Sequence, residues 1–299
     1  MTHLAIDADP LVYKAAGVTE KVVYDIVANS CPMENVDVDD PQTYAPYKIA
    51  TFRYVKEYKE WLAQHKKTKD DFIRIDRKEI APLSHALNIV NLMIQDMINV
   101  IQPEQVTVLL TAEGGNFREQ IAQIRPYKES RKDKQKPIYY KEIREFMVNK
   151  WHAHIVEGCE ADDVCAMILA ASVDEGHPTV LASIDKDLDS VAGLHYNYDR
   201  KEYYQVSHEE ALRFFYAQVL AGDDTDSIPG IKGIAMKTAM KKLGRASTEH
   251  SLWRKVLAEY AKAPEYKAIE GRTYTDVAIE MARLVYMQRN WGELWQPPA

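Results

Sequence analysis

The chain has 299 residues, 46% of them hydrophobic and 28% charged, with 12 Gly and 13 Pro. That composition supports a packed core of one large domain or two ordinary ones, and it excludes collagen, disorder and low-complexity linkers. The formal net charge of −7 has the wrong sign for a nucleic-acid binder taken as an average, and three cysteines (Cys31, Cys159, Cys165) without a CxxC exclude a disulfide scaffold or a cysteine zinc site.

No stretch approaches ~18 consecutive apolar residues, so no membrane span is expected. The first residues lack the basic head and long apolar run of a signal peptide, which makes a cytoplasmic location the expectation, that of the host if the chain is phage-encoded. In chain order, His3-Leu4-Ala5-Ile6 runs into Asp7, the first of several short apolar runs that end in an acid. The stretch from Val18 to Ile80 is harder to read. Lys21–Val27 and Phe72–Ile75 have strand character, Ala50–Gln64 reads as a charged amphipathic helix, and the whole is an insertion without an assigned role. Leu87, Val90, Ile94 and Ile98 stand at helical spacing and predict a helix over Leu83–Ile101. Val106–Leu110 then runs into Thr111-Ala112-Glu113. Asp162–Ala171 is an alanine-rich helix with acids in its first turn. Thr179–Ile184 runs into Asp185, with Asp187 close behind.

Such alternation implies right-handed crossovers and an α/β fold with a mainly parallel central sheet flanked by helices. After about Ser207 only helices are expected, at Glu209–Ala221, Ala235–Leu243, Ser251–Ala261 and Tyr274–Arg289. The expected domains are an α/β core over 1–206, with the insertion at about 18–80 and a basic arch at about 114–150, and a helical region over 207–299. No internal repeat is found.

Ligand sites of open α/β sheets lie outside the carboxyl ends of the strands. Asp7, Glu113 and Asp185 occupy such ends, and Glu160 lies three residues before Asp163, so both can share one helical turn with Asp162. Singly, each acid could be solvated or could favour a helix start. Converging together, they cannot all stay ionised without cations. Oxygen donors without paired His or Cys point to hard ions, Mg²⁺ or Mn²⁺. Asp185-Lys186-Asp187-Leu188-Asp189 starts like a calcium loop but has Ser190 and Tyr196 where that loop needs Gly and Glu.

The positive charge is segregated. Eight basic residues face three acids between Arg125 and Arg144, and five face none between Gly230 and Arg245. Gly230-Ile231-Lys232-Gly233-Ile234 reads as a tight hairpin whose glycines expose backbone N–H groups before a basic helix. This helix–hairpin–helix unit would grip phosphates without reading bases, through Gly230, Lys232, Gly233, Lys237, Lys241 and Lys242.

Three segments, Glu157–Asp163, Ser183–Asp189 and Gly222–Ile234, together resemble the signature of the 5′-nuclease superfamily, which includes flap endonucleases, the 5′-exonuclease domain of bacterial DNA polymerase I and, nearest in pattern, phage 5′–3′ exonucleases. The resemblance is most specific from about Val106 to Leu243. It implies that Asp7, Glu113, Glu160, Asp162, Asp163, Asp185, Asp187, Asp223 and Asp226 hold two divalent ions, with a monovalent cation at the hairpin as a further expectation. In Arg125-Pro126-Tyr127-Lys128-Glu129-Ser130-Arg131, Lys128 and Arg131 match the family's basic pair at the scissile phosphate. This sequence departs from the pattern in four places. Glu113 stands where Asp is usual, Asp7-Ala8-Asp9 replaces Asp-Gly, the insertion after Gly17 is atypical, and the Gly114–Trp151 arch is short for threading a free 5′ end.

The implied activity is hydrolysis of DNA phosphodiesters, as a 5′–3′ exonuclease or flap endonuclease in phage-type replication or primer removal. Two ions ~3.5–4 Å apart would activate water and stabilise the leaving oxygen, while Lys128 and Arg131 neutralise charge on the phosphate. Arg125, Tyr127 and Lys132 would touch DNA, with Tyr127 either stacking on a terminal base or packing inside. The expected partner is duplex DNA with 5′ ends, flaps or nicks, with RNA–DNA hybrid as a further substrate. The alternatives are a haloacid-dehalogenase-type phosphatase, with Asp7 as nucleophile and Asp9 as acid/base, and a catalytically silent branched-DNA binder.

Overall fold

The computed structural model describes residues 2–132, 134–266, 269 and 271–299, and gives the backbone alone at 174 and 175. By internal contacts the chain falls into two compact units. One comprises Met1–Leu11, Met93–Gln135 and Arg144–Ala299, and the other Val12–Leu92 and Lys136–Ile143. The expected boundary at 206/207 is not where the chain divides, because the helical C-terminal region belongs to the same unit as the parallel sheet.

The elements in chain order are β1 (His3–Asp7), α1 (Asp9–Thr19), β2 (Glu20–Ala28), β3 (Lys48–Phe52), α2 (Val55–Gln64), β4 (Phe72–Ile80), α3 (Leu83–Ile101), β5 (Gln105–Thr111), α4 (Phe117–Ile121) and α5 (Tyr140–Trp151). There follow β6 (His154–Val156), α6 (Ala161–Glu175), β7 (Thr179–Ala182), β8 (Gly193–Asn197), β9 (Glu202–Val206) and α7 (His208–Ala221). The last are β10 (Gly222–Asp223), β11 (Ile228–Pro229), α8 (Met236–Leu243), α9 (Glu249–Tyr260) and α10 (Tyr274–Val285).

The first unit is built on a six-stranded sheet in the order β6-β5-β1-β7-β8-β9. Every neighbouring pair is parallel except β8–β9. Leu4, Ala5, Ile6, Leu110, Leu181 and Ala182 are fully buried, as continuous apolar strands between two helical layers must be. Each such aliphatic side chain contributes ~1.5–3 kcal/mol. The direction in which strands are added reverses at β1, since β5 and β6 lie on one side and β7 and β8 on the other. Asp7 therefore ends the strand at the switch point of the sheet. Helices α7 to α10 pack around Tyr216, Leu252, Val256, Tyr260, Val277 and Met281, all buried.

The sequence signals set most helix boundaries. α3 spans the predicted residues. α7 starts at a Ser207–Glu210 capping box and α9 at a Thr248–Ser251 box. α10 stops at Val285, short of the expected Arg289, because the Arg118 guanidinium takes the carbonyls of Leu284 and Tyr286 at 2.8 and 2.9 Å. α1 was not anticipated. Pro10 sits in its first turn, and Leu11, Val12, Ala15 and Ala16 bury one face.

The second unit holds an antiparallel sheet in the order β3-β2-β4. The helix expected over Ala50–Gln64 is instead a strand followed by a shorter helix. Ile49, Thr51 and Phe52 favour extended backbone, and Tyr54 with Glu57 forms a capping box that starts α2 at Val55. Asp25 is buried in this sheet, held by Tyr44 Oη at 2.8 Å, Lys48 at 3.0 Å, Arg77 at 2.6 Å and Thr51. Burial alone would raise its pKa, but these partners bring it down to about 2. All three cysteines are buried and free. Among the described residues no helix is long and apolar enough to cross a membrane.

Candidate metal centre and its basic flank

Five of the expected acids gather at the carboxyl edge of the parallel sheet. Asp7 is 1% exposed, and its Oδ2 accepts from Ser183 Oγ at 2.8 Å. The same Ser183 oxygen accepts the Asp185 N–H at 2.9 Å, and Asp185 Oδ1 accepts the Asp187 N–H at 2.9 Å. Side chains thus fold the loop after β7 into a turn that aims its acids back at β1. Asp162, in the first turn of α6, stands beside Asp7, and Asp223 stands beside Asp187. Asp223 is set there by a close backbone crossing. A Cβ on Gly222 would lie 2.1 Å from Gly230 N, and one on Gly230 would lie 2.1 Å from Ala221 C. Gly230 therefore serves packing, while Gly233 is exposed at φ +82°, a left-handed turn conformation that favours glycine.

This gathering perturbs the carboxyls strongly. Burial, and then the charges of Asp9 and Asp185, push Asp7 up to about 7. Burial with Asp185 and Asp223 pushes Asp187 up to about 8. Asp162 is raised well above the ordinary range by burial, then by Asp7 and Asp185. Asp223 alone falls below its usual value. Burial is outweighed there by hydrogen bonds from Asp187 and from the backbone of Thr225 and Asp226. Two buried oxygens, Asp7 Oδ1 and Asp187 Oδ1, have no hydrogen-bond partner. Among the described residues no three His, Cys, Asp or Glu side chains form a ready ion cage. The acids stand in pairs linked through Asp185. Orphaned oxygens, mutual repulsion and an all-oxygen donor set together fit hard divalent cations.

Of the other four expected acids, Asp163, Glu160 and Asp226 are neutralised by the protein. Asp163 is fully buried, and its two oxygens accept a bidentate pair from Arg118 at 2.6 and 2.8 Å. They also accept the N–H groups of Glu160 and Gln288, both at 3.1 Å. That carboxylate is committed to capping α6 and tying it to the C-terminal segment. Glu160 meets Lys128 and the Tyr127 hydroxyl, the latter at 2.8 Å. Burial raises the Glu160 carboxyl, but Lys128 and then Arg118 carry it below the usual range. Asp226 binds Arg131 at 2.7 Å, Tyr127 Oη at 2.8 Å and, more loosely, Lys128 at 3.7 Å. Glu113 is exposed beyond β5, and none of the hydrogen bonds or ion pairs among the described residues reaches it. Asp9 is held by Arg144 at 2.9 Å and by the Thr111 N–H at 3.1 Å, while Arg144 also donates to Thr111 O at 2.5 Å.

On the basic side, Lys128 adopts φ +53°, and its N–H donates to Asp226 O at 2.8 Å, which turns its ammonium inward. Tyr127 is buried at 6% exposure. Its ring therefore packs inside, and of the two roles considered, stacking on a terminal base does not fit. Arg125 pairs with Glu129 at 3.1 Å, and Lys132 is exposed. On α8, Lys237 and Lys241 are exposed, whereas Lys242 pairs with Glu259 at 2.6 Å. The Lys232 N–H donates to Glu265 Oε1 at 2.8 Å, so a carboxylate occupies one amide of the segment expected to be the hairpin. Sequence reasoning missed Arg118, Arg144, Ser183 and Glu265. Each acts on a partner at least 33 residues away, and no local pattern marks such pairs.

No family model matches the chain. It is 26% identical over 219 residues to DNA polymerase I of Bacillus caldotenax, covering 67% of this chain and 24% of that protein. It is 30% identical over 145 residues to a 5′-3′ exonuclease of Aquifex aeolicus, covering 42% of this chain and 49% of that one. It is 26% identical over 201 residues to a flap endonuclease Xni of Shewanella, covering 64% of this chain and 73% of that one. The chain spans a quarter or less of the DNA polymerase I relatives it matches. A solved structure described as T5 D15 protein co-crystallised with metal ions superposes with a TM-score of 0.51 over 95% of this chain and 86% of that one. At 14% identity it shares the fold. With the strand-edge acids and three motif segments in place on this sheet, these sequence relatives support kinship with the 5′-nuclease superfamily, whose members they resemble.

Proposed function

We propose that the protein is a divalent-metal-dependent 5′–3′ exonuclease or flap endonuclease acting on DNA, in phage-type replication or primer removal. The observation that carries this reading is the meeting of Asp7, Asp162, Asp185, Asp187 and Asp223 at the switch point of the sheet, with two buried oxygens unpartnered. These five would hold Mg²⁺ or Mn²⁺, which supplies a nucleophilic hydroxide near neutral pH and charge stabilisation at the phosphate. Glu160 pairs with Lys128 and Asp226 with Arg131, and in this reading the pairs hold both cations ready beside the acids. In this reading a bound phosphodiester draws one or both cations forward to neutralise its developing charge.

The helix–hairpin–helix role of Gly230–Leu243 is part of the same proposal. Lys237 and Lys241, exposed on α8, would contact duplex phosphates without sequence preference. The names of the relatives in Aquifex and Shewanella support the reaction class. The phosphatase alternative needs Asp9 as a proton donor, yet Arg144 and the Thr111 N–H both hold it as an acceptor. The deciding experiment is cleavage of 5′-labelled flap, nicked and blunt duplexes with and without Mg²⁺. Ion-dependent release of short 5′ products is expected. Binding without cleavage would leave the silent DNA binder standing.

A further inference from the structure

The second unit contains a half-open cavity of about 490 Å³ where β2, β4 and the start of α3 meet. That size is within the ~300–1,000 Å³ of small-molecule sites and suits one nucleotide rather than a duplex. Its charge is unbalanced. Lys21, Arg53, Arg77 and Lys78 line it against a single acid, Glu79, with Val18, Ile80 and Ile89 as apolar wall. Behind the lining, Asp25 is shared by Arg77 and Lys48, and Glu20 pairs with Lys78. Five cations thus meet three carboxylates, an excess of two positive charges.

Geometry divides the cations into fixed and available ones. Arg77 is 11% exposed and locked by Asp25 at 2.6 Å and Glu79 at 2.9 Å. Arg53 reaches Glu79 only at 3.9 Å and is 66% exposed. Lys21 stands opposite Glu79 in the β2–β4 register, but among the described residues its ammonium has no ion-pair or hydrogen-bond partner. A rigid guanidinium backed by a buried carboxylate, two cations free to close, and an apolar wall are the elements of a site for a small organic dianion.

We propose that this cavity binds a free phosphate monoester of nucleotide size, whose charge of about −2 matches the excess. Lys21 and Arg53 grip the phosphate, Arg77 supplies the fixed positive floor, and the organic part lies on Val18, Ile80 and Ile89. The inference does not rest on the nuclease reading. It is tested by calorimetric titration of the full chain with 2′-deoxyadenosine 5′-monophosphate, deoxyadenosine and inorganic phosphate, in EDTA so that ion-dependent binding at the acidic centre does not contribute. The monophosphate should bind with a sub-millimolar Kd, the nucleoside should not bind, and inorganic phosphate should bind at least tenfold more weakly. Lys21→Ala and Arg53→Ala, both at exposed positions, should each weaken the monophosphate at least fivefold at unchanged melting temperature. Absent saturation, or binding indifferent to both substitutions, overturns the site. Equal affinity for inorganic phosphate overturns the ester and leaves a plain anion hole. A 5′-phosphorylated oligonucleotide that outcompetes the mononucleotide overturns the free-ligand assignment.

Discussion

Two groups of acids, both within the first unit, are treated in opposite ways by the same fold. Asp7, Asp162, Asp185, Asp187 and Asp223 face one another, and the first two and Asp187 have pKa values raised by burial and mutual repulsion. Glu160, Asp163 and Asp226 are as deeply placed but are met by Arg118, Lys128, Arg131 and Tyr127. A buried carboxylate is stable only with a counter-charge. In the second group the protein supplies that charge. In the first it does not, and in the proposed reading a divalent ion would supply it.

The largest test of this contrast is catalytic. Asp162→Asn or Asp185→Asn should lower Mg²⁺-dependent cleavage by about 10³-fold or more, equivalent to several kcal/mol of lost charge stabilisation, with DNA affinity nearly unchanged in a gel-shift titration. Full activity in either variant would place the chemistry elsewhere. The second test reverses the expectation for stability. Arg118→Met leaves Asp163 buried and unpaired and should cost ~3–5 kcal/mol in denaturant unfolding. In ion-free buffer Asp187→Asn should be neutral or stabilising. If both variants shift equally, the two groups of acids do not differ as described.

A third test is pH. Asp7 and Asp187, at about 7 and about 8 in the fold, titrate near 4 when unfolded. The native state thus holds protons that the unfolded chain releases. The contribution of these two groups to the stability of the ion-free protein is greatest below about pH 4 and declines as pH rises through 7–8, by up to ~1.4 kcal/mol per unit for each group. Melting temperatures between pH 5 and 8 in EDTA should fall, and Mg²⁺ should flatten the curve. Parallel curves would count against ion binding by these acids. Smaller still, Lys237→Ala and Lys241→Ala should each reduce the slope of DNA affinity against salt by about one. Glu265→Ala, which frees the Lys232 amide, should tighten duplex binding by a few-fold. Weaker binding in that variant would make Glu265 a brace of the hairpin instead.

Much of this was legible along the chain. Apolar runs ending at Asp7 and before Asp185, the acidic first turn of α6 and the periodicity of α3 are local features, written in the residues that form them. They were enough to predict a mainly parallel sheet with acids at one edge. Which acids stay unpaired was not legible. Glu160, Asp162 and Asp163 are near neighbours in sequence, but one helical turn sends Asp162 to Asp7, Asp163 to Arg118 and Glu160 to Lys128. The two cations come from α4 and the segment after it, dozens of residues away, and Asp7 comes from β1. Side-chain direction on a helix follows from spacing, but what waits in each direction depends on how distant segments pack. The sequence therefore determined the presence of the carboxylates and the strands that carry them. Only the tertiary structure decided which of them receive a cation from the protein, because that depends on long-range packing.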